Sequence, residues 1–193
     1  MNNFSDVIND KFDILVTKHA DLILKHAFPE EYDDLSLMLQ NFSININSIL
    51  KGGGGKSEIA KGVDKFLIEE RGWEEKLFDT SIQVDSFKKE NPTHKIDCYK
   101  NRVAFELEWN NKTEFYDRDL NNFRILNELD AISLGIIMTR STSLNPFFKE
   151  LKIYSKYGAS STQSDKLIKK INGGGAGGCP LIVFGIKRDC FYD

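Results

Sequence analysis

The chain has few cysteines and no long apolar run, and each scarcity excludes a class of protein. Its three cysteines, Cys98, Cys179 and Cys190, are too few and too scattered for a disulfide framework, and no CxxC pair indicates a zinc site. No apolar run approaches the roughly 20 residues that a membrane span needs. The N-terminus lacks the basic and apolar regions of a signal peptide. We therefore expect a reduced, cytoplasmic protein with no membrane partner.

Length and charge set two further bounds. At 193 residues the chain is long enough for one domain with a sizeable core, so we expect a single domain over residues 1–193. The net charge of -3 disfavours a simple nucleic-acid binder. However, residues 140–193 carry nine Lys or Arg against four Asp or Glu, whereas residues 1–50 carry three against eight. The basic C-terminal third either presents a phosphate-facing surface or is an ordinary solvated face.

Apolar spacing predicts a mixed α/β fold. Helical spacing covers residues 4–28, ending near Pro29, residues 57–73 with Ser57 as N-cap, residues 117–129, and residues 146–154. Short β-like segments occupy residues 77–87, 94–100 and 101–109. Residues 132–139 and 180–186 are continuous apolar segments, typical of strands that are buried on both faces. Helices thus come first, a β-meander follows, and strands and helices then alternate.

The glycine-rich segment ILKGGGGKSEIAKGV, residues 49–63, looks at first like a nucleotide-phosphate loop. The pattern G-x-x-x-x-G-K-[ST] would require its first glycine at the position of Leu50. The residues before it are polar on one side, and the apolar segment GIIMTR ends in Thr139 and Arg140 and offers no Asp for magnesium. The sequence therefore disfavours an ATPase or GTPase.

The segment KIDCYKNRVAFELEWNNK carries the strongest chemical signal. A turn at YKNR would pair two strands, and alternation along the second puts Glu106 and Glu108 on the face opposite Val103, with Asp97 able to join them. Clustered carboxylates suit a hard cation such as Mg²⁺, which supports phosphodiester hydrolysis. The alternative is an ordinary hairpin with one apolar and one solvated acidic face.

The spacing D-x8-E-x-E resembles the PD-(D/E)xK nuclease core, in the variant without the final lysine. With GGGGKSEI before a helix ending in RGW, EWNNKTEFYDRDLNNFR and CPLIVFGI, the chain is similar to type II restriction endonucleases of the BglII/BstYI family, with a BamHI-like last carboxylate. The resemblance covers residues 50–186. It implies a restriction-endonuclease-like α/β fold, in which a central mixed β-sheet is flanked by helices.

The resemblance also implies roles for individual residues. Asp97, Glu106 and the Leu107 carbonyl would ligate Mg²⁺, with one or two ions per subunit. Glu108 would replace the usual lysine and orient or deprotonate the attacking water. Glu58 would be a fourth acidic group at the site, or else an ordinary first-turn Glu that the helix dipole favours.

By the same resemblance the protein is a site-specific deoxyribonuclease that leaves 5′-phosphate ends at a short palindrome, with a GATC-containing site suggested by analogy. Double-stranded DNA would be its substrate, a homodimer its working form, and a DNA methyltransferase its companion in the same system. The alternatives are a nuclease of the same fold acting in repair or defence, and a non-catalytic DNA-binding module.

Polar residues near these motifs are candidates for DNA contact. The glycine run would bring Lys56 and Ser57 to a backbone phosphate, with Gly52–Gly55 forming either a fixed cradle or a mobile flap. The other candidates follow the catalytic strand or lie on the next helix and a later polar loop: Asn110, Asn111, Lys112, Thr113, Arg118, Asn122, Lys156, Tyr157, Ser160, Ser161 and Thr162.

Overall fold

A computed structural model describes residues 2–50, 57–90, 93–158 and 160–193, which form ten strands and eight α-helices. The strands are β1 (Phe12–Val16), β2 (Ile44–Asn45), β3 (Glu74–Lys76), β4 (Ser81–Val84), β5 (Phe87–Glu90), β6 (Ile96–Lys100), β7 (Val103–Glu108), β8 (Leu134–Arg140), β9 (Leu181–Ile186) and β10 (Phe191–Tyr192). The helices are α1 (Asp6–Lys11), α2 (Ala20–Ala27), α3 (Pro29–Asn41), α4 (Ile46–Leu50), α5 (Glu58–Asp64), α6 (Phe115–Glu128), α7 (Asn145–Glu150) and α8 (Ser164–Asn172). A π-helical segment, Lys65–Glu70, extends α5, and short 3₁₀ turns occupy Thr142–Leu144, Tyr154–Tyr157 and Arg188–Cys190.

Six strands form one mixed sheet in the order β1-β9-β8-β7-β6-β3. The three central strands, β7, β8 and β9, run parallel, and β1, β6 and β3 join antiparallel at the two sides. All residues of the central three strands are buried. The continuous apolar segments predict this for β8 and β9, whereas β7 was expected to alternate. The sequence-based prediction of a mixed α/β fold is confirmed.

The turn between β6 and β7 fixes the register of the two strands that carry the acidic motif. Asn101 and Arg102 both have positive φ, 44° and 72°, as a two-residue type I′ hairpin requires. Lys100 consequently pairs with Val103, and Cys98 with Phe105. The predicted turn at YKNR is thus present, and its register places Asp97 beside Glu106.

The sheet separates two apolar clusters. Val103, Phe105 and Leu107 face a large cluster that includes residues of α1, α2, α3 and α5, whereas Ala104 faces a smaller one formed with α6 and α8. Helix α6 lies very close to β8, because Gly135 leaves room for the Phe123 ring; a Cβ at position 135 would lie 2.3 Å from a carbon of that ring. This close contact brings the polar residues of α6 up to β7.

The predicted single helix over residues 4–28 is wrong. Residues 12–16 form β1, which pairs antiparallel with β9, so that Phe12 lies opposite Ile186. Phe12, Ile14 and Val16 pack on one apolar cluster and Leu15 on the other, which is strand alternation. The same apolar positions fit both periodicities, and pairing with a distant strand decided between them.

Four smaller differences concern one helix that was not predicted and the bounds of three others. Helix α3 was not predicted, and Pro29 begins it, where a missing N–H carries no penalty. Leu129 lies after the end of α6 and is exposed. The helix predicted over residues 146–154 is shorter, and the end of the predicted polar loop is the start of α8. Among the described residues, no helix is long and apolar enough to cross a membrane.

Candidate active site

Asp97 of β6 and Glu106 of β7 are joined across the hairpin by reciprocal contacts to backbone amides. The Leu107 N–H donates to Asp97 Oδ2 at 3.1 Å, and the Asp97 N–H points at Glu106 Oε2 at 3.4 Å. Asp97 is half-buried, whereas Glu106 is only 1% exposed. The two carboxylates therefore lie together at the edge where the antiparallel hairpin meets the parallel part of the sheet.

Glu108 and Asp119 extend this acidic group onto α6. Glu108, two residues along β7, lies on the same face as Glu106 and is 2% exposed, and Asp119 of α6 is fully buried. The acidic face of the hairpin is thus covered by α6 and is not the solvated face of an ordinary hairpin. Asp119 was not among the residues expected from the sequence.

One arginine and one asparagine contact Glu108. Arg118 Nη2 donates to Glu108 Oε1 at 3.3 Å, and the same guanidinium donates to Asp119 Oδ1 at 2.8 Å, while its carbon lies 4.3 Å from the centre of the Phe115 ring. Asn111 Nδ2 donates to Glu108 Oε2 at 2.6 Å. Both oxygens of Glu108 are therefore held by side chains that the sequence suggested as DNA contacts.

Burial and mutual repulsion shift the titration of this group strongly. The pKa of Glu106 is raised well above its ordinary value, first by burial and then by the charges of Asp97 and Asp119. Burial, followed by the charge of Asp119, raises the pKa of Glu108 to about 9. The pKa of Asp119 is also raised, mainly by burial. Such shifts are typical of functional sites, where like charges are gathered at a cost in stability.

The donor set fits a divalent cation in its chemistry. Glu106 Oε1 and Asp119 Oδ2 are buried oxygens without a hydrogen-bond partner among the described residues, and carboxylate oxygens are the ligands that Mg²⁺ prefers. In the described part of the chain, no three His, Cys, Asp or Glu side chains are grouped closely enough to hold a metal.

The exposed polar candidates lie along one edge next to Glu108. Asn110, Asn111 and Lys112 are exposed, and Thr113 is half-buried. Lys112 pairs with Ser161 in an antiparallel bridge, and the Thr113 amide donates to the Ser160 carbonyl at 3.0 Å. We call residues 110–113 the Asn111 edge.

Several other candidates are buried and have local partners. Asn122 exchanges hydrogen bonds with the backbone of His94, at 3.2 and 2.9 Å, and so ties α6 to the start of β6. Tyr157, Ser161 and Thr162 are each less than a tenth exposed, whereas Ser160 is exposed. Of these four residues, only Ser160 is exposed to solvent, and the other three form part of the protein interior.

The residues around the glycine run have helix-start contacts. Ser57 caps α5, since its Oγ accepts from the Ala60 amide at 3.1 Å, as predicted. Glu58 is exposed and pairs with Lys61 at 2.7 Å, which agrees with a first-turn Glu. Lys156 is exposed, and its Nζ donates to the Leu50 carbonyl at 2.8 Å, just before the glycines. Lys56 and Gly52–Gly55 lie outside the described residues.

Sequence patterns did contain a signal for the two site residues that were missed. Asp119 occupies the buried stripe of α6 together with Tyr116, Leu120 and Phe123, and a charged residue at a core position of a helix requires a partner. Arg140 ends a continuous apolar strand, and it is fully buried in the structure. Both residues are charged side chains in places where apolar residues are expected.

A mixed six-stranded sheet flanked by helices is the architecture of the PD-(D/E)xK class of nucleases. The family model for the restriction endonuclease BglII/BglIII matches residues 12–186, and the chain belongs to that family. It is therefore a type II restriction endonuclease, an enzyme that cleaves DNA, and the resemblance inferred from the sequence is confirmed. No curated protein matches the chain.

Proposed function

We propose that this protein is a Mg²⁺-dependent, site-specific deoxyribonuclease that acts on a short palindrome and leaves 5′-phosphate ends. The observation that carries the proposal is the acidic group formed by the half-buried Asp97 and the buried Glu106 and Glu108, with the exposed Asn111 edge directly beside Glu108. A GATC-containing site, a cytoplasmic location and a companion methyltransferase are further parts of the proposal that rest on the family. A single domain over residues 1–193 would contain the whole site.

The chain's own residues have distinct roles in this proposal. Asp97, Glu106 and the Leu107 carbonyl would hold one or two Mg²⁺ ions per subunit. Bound Mg²⁺ would polarise a phosphate oxygen and lower the pKa of an attacking water. Glu108 would orient that water and take up its proton. Burial, and then the charge of Asp119, raises the pKa of Glu108 to about 9, so Glu108 is protonated at neutral pH in the metal-free protein, and a cation bound nearby would favour the charged form that a base requires.

DNA would be positioned by the Asn111 edge and by the groups around it. Asn110, Asn111, Lys112, Thr113 and Ser160 supply donors and acceptors of the kinds that contact bases and phosphates. Arg118 adds positive charge beside Glu108, and Lys156 would add positive charge on the DNA-facing surface. Lys56 with Ser57 would face a backbone phosphate. Tyr157, Ser161, Thr162 and Asn122 would act through the backbone that they support. A palindrome read by two copies of this edge favours a two-fold dimer.

Incubating the protein with plasmid DNA and Mg²⁺ tests the proposal, with Asp97→Ala and Glu106→Gln as variants. We expect discrete fragments from the wild type, and a loss of cleavage in both variants with DNA binding retained. Random nicking would instead indicate a repair or defence nuclease, and binding without cleavage a non-catalytic module. If both variants cleave like the wild type, these residues do not form the active site.

A further inference from the structure

Arg140, the last residue of β8, is a buried cation that pairs with no acidic side chain in the described part of the chain. It is fully buried, and its guanidinium carbon lies 5.4 Å from the centre of the Phe148 ring and 5.0 Å from that of Tyr157. Among the described residues, no carboxylate contributes to its surroundings, and burial lowers its pKa to about 10. Burying an unpaired charge is expensive, so an apolar residue would serve better if only core volume were needed.

The hydrogen bonds of Arg140 all go to one segment. Its Nη2 donates to the Tyr157 carbonyl at 3.0 Å, to Ser161 Oγ at 2.7 Å and to the Thr162 carbonyl at 3.1 Å. We call residues 157–158 and 160–162 the Ser161 loop. A single guanidinium nitrogen thus holds both ends of this loop against the end of the central strand.

The Ser161 loop in turn holds the Asn111 edge. The Thr162 amide donates to the Asn111 carbonyl at 2.9 Å, and the Thr113 amide donates to the Ser160 carbonyl at 3.0 Å. The Asn111 side chain then reaches Glu108 Oε2 at 2.6 Å. A continuous path of hydrogen bonds therefore leads from Arg140 through the Ser161 loop to the acidic group.

We propose that Arg140 is a positioning residue that fixes the Ser161 loop and, through it, the place of the Asn111 edge relative to Glu108. The inference rests on the proposed function, because the edge matters only if it contacts the DNA that is cut. A rigid edge couples correct reading of the DNA to correct placement of the scissile phosphate. Displacements of about 1 Å at such a site cost on the order of 100-fold in rate.

Hydrogen exchange measured by mass spectrometry tests the geometric part without any DNA. The variants are Arg140→Lys, which keeps the charge, and Arg140→Met, which keeps an unbranched chain. Arg188→Met is the control, since the Arg188 guanidinium carbon likewise lies 4.2 Å from an aromatic ring, that of Phe147, but the guanidinium donates to the Phe191 carbonyl instead of to the loop. We expect amides 111–113 and 160–162 to exchange at least tenfold faster in the Arg140 variants, with β8 and β9 unchanged, and no such change in R188M.

Unchanged protection of these amides in both Arg140 variants would overturn the inference, whether or not the protein cleaves DNA. If Arg140→Met does not fold, Arg140→Lys decides, because Ser161→Ala would also remove the hydrogen bond from Ser161 Oγ to the Gly158 carbonyl. A wild type that cuts no DNA would overturn the proposed function and leave the exchange result to judge Arg140 separately.

Cleavage kinetics test the functional part. We expect kcat/KM at the preferred site to fall 10- to 100-fold in Arg140→Lys, and the preference over single-base variants of that site to fall as well. A residue with only a stabilising role would lower the amount of active enzyme and leave that preference unchanged. An unchanged preference, or wild-type rates, would therefore overturn the assignment of Arg140 as a positioning residue.

Discussion

The side-chain amide of Asn111 donates a 2.6 Å hydrogen bond to Glu108 Oε2, and so joins the exposed polar edge to the buried acidic group. This bond also counteracts the rise in the pKa of Glu108 that burial causes. In the proposed function, the same residue would contact DNA and orient the carboxylate that activates the attacking water.

Replacing Asn111 by alanine should therefore impair cleavage more than binding. We expect kcat to fall about tenfold or more, because Glu108 loses a partner that orients it and favours its charged form. DNA binding without divalent cations, measured by gel shift, should change less. Asn121→Ala, an exposed change on α6, is the control. Equal losses in binding and in kcat would show that Asn111 acts on DNA alone.

Asp119 and Asp117 form a matched pair on α6 for testing the unexpected acidic residue. Asp119 is buried beside Glu106 and Glu108, whereas Asp117 is exposed and pairs with Lys170. We expect Asp119→Asn to lower cleavage about 10- to 100-fold. Mg²⁺ affinity measured by calorimetry should also fall.

Asp117→Asn should leave cleavage and Mg²⁺ affinity near the wild-type values, because an exposed ion pair contributes about 1 kcal/mol or less. Asp119 has no part in the site if Asp119→Asn cleaves DNA and binds Mg²⁺ as the wild type does. Thermal unfolding of both variants separates a loss of function from a loss of fold.

The acidic group also predicts how stability depends on pH in the metal-free protein. The folded-state pKa of Glu108 is raised from 4.5 to about 9, and that of Glu106 is raised as well. Both carboxyls bind their protons more tightly in the folded protein, so this stabilisation is complete below pH 4.5 and is lost as the pH rises through the folded-state values.

We therefore expect the free energy of unfolding, measured with urea and a chelator, to fall between about pH 5 and pH 9. Glu108→Gln should flatten part of this fall, and Mg²⁺ should restore stability at the alkaline end. A wild type and a Glu108→Gln variant with identical pH profiles would contradict the burial of an ionisable Glu108.

Gly135 tests the packing of α6 on the sheet, and Gly62 of α5 serves as the comparison. Gly135→Ala would drive a methyl group into the Phe123 ring, which lies 2.3 Å from the position of the new Cβ, and should destabilise the protein by about 1–3 kcal/mol. Gly62→Ala meets nothing within 4 Å and lies in α5, so it should stabilise by up to about 1 kcal/mol. Urea unfolding of both variants checks this, and equal effects would argue against close contact of α6 with β8.

Local patterns predicted much of the fold. The β6–β7 hairpin with its turn, the Ser57 cap and the buried strands β8 and β9 were all predicted, since each depends on residues near one another in the chain. The helix predicted over residues 4–28 was right only at its two ends, α1 and α2, because Phe12–Val16 fit a helix as well as a strand until β9 pairs with them. Two-residue strands and short helices carry too few residues for a periodicity to be recognised.

The candidate site was predicted in part for the same reason. Asp97, Glu106 and Glu108 belong to one hairpin, so spacing and alternation placed them together. Asp119 reaches them from another element, and only the packing of α6 against the sheet shows that it does. The sequence suggested that Tyr157, Ser161 and Thr162 are exposed loop residues, but all three are buried and accept hydrogen bonds from Arg140 of β8.

The sequence by itself determined the acidic motif, its hairpin and the family, because these depend on short-range spacing. Only the tertiary structure decided that the acidic face is buried, that Asp119 joins it, and that Arg140 lies behind the Asn111 edge. The physical reason is that burial and charge repulsion depend on which distant segments pack together. The pairing of β1 with β9, which lie near opposite ends of the chain, is an example of such a long-range contact.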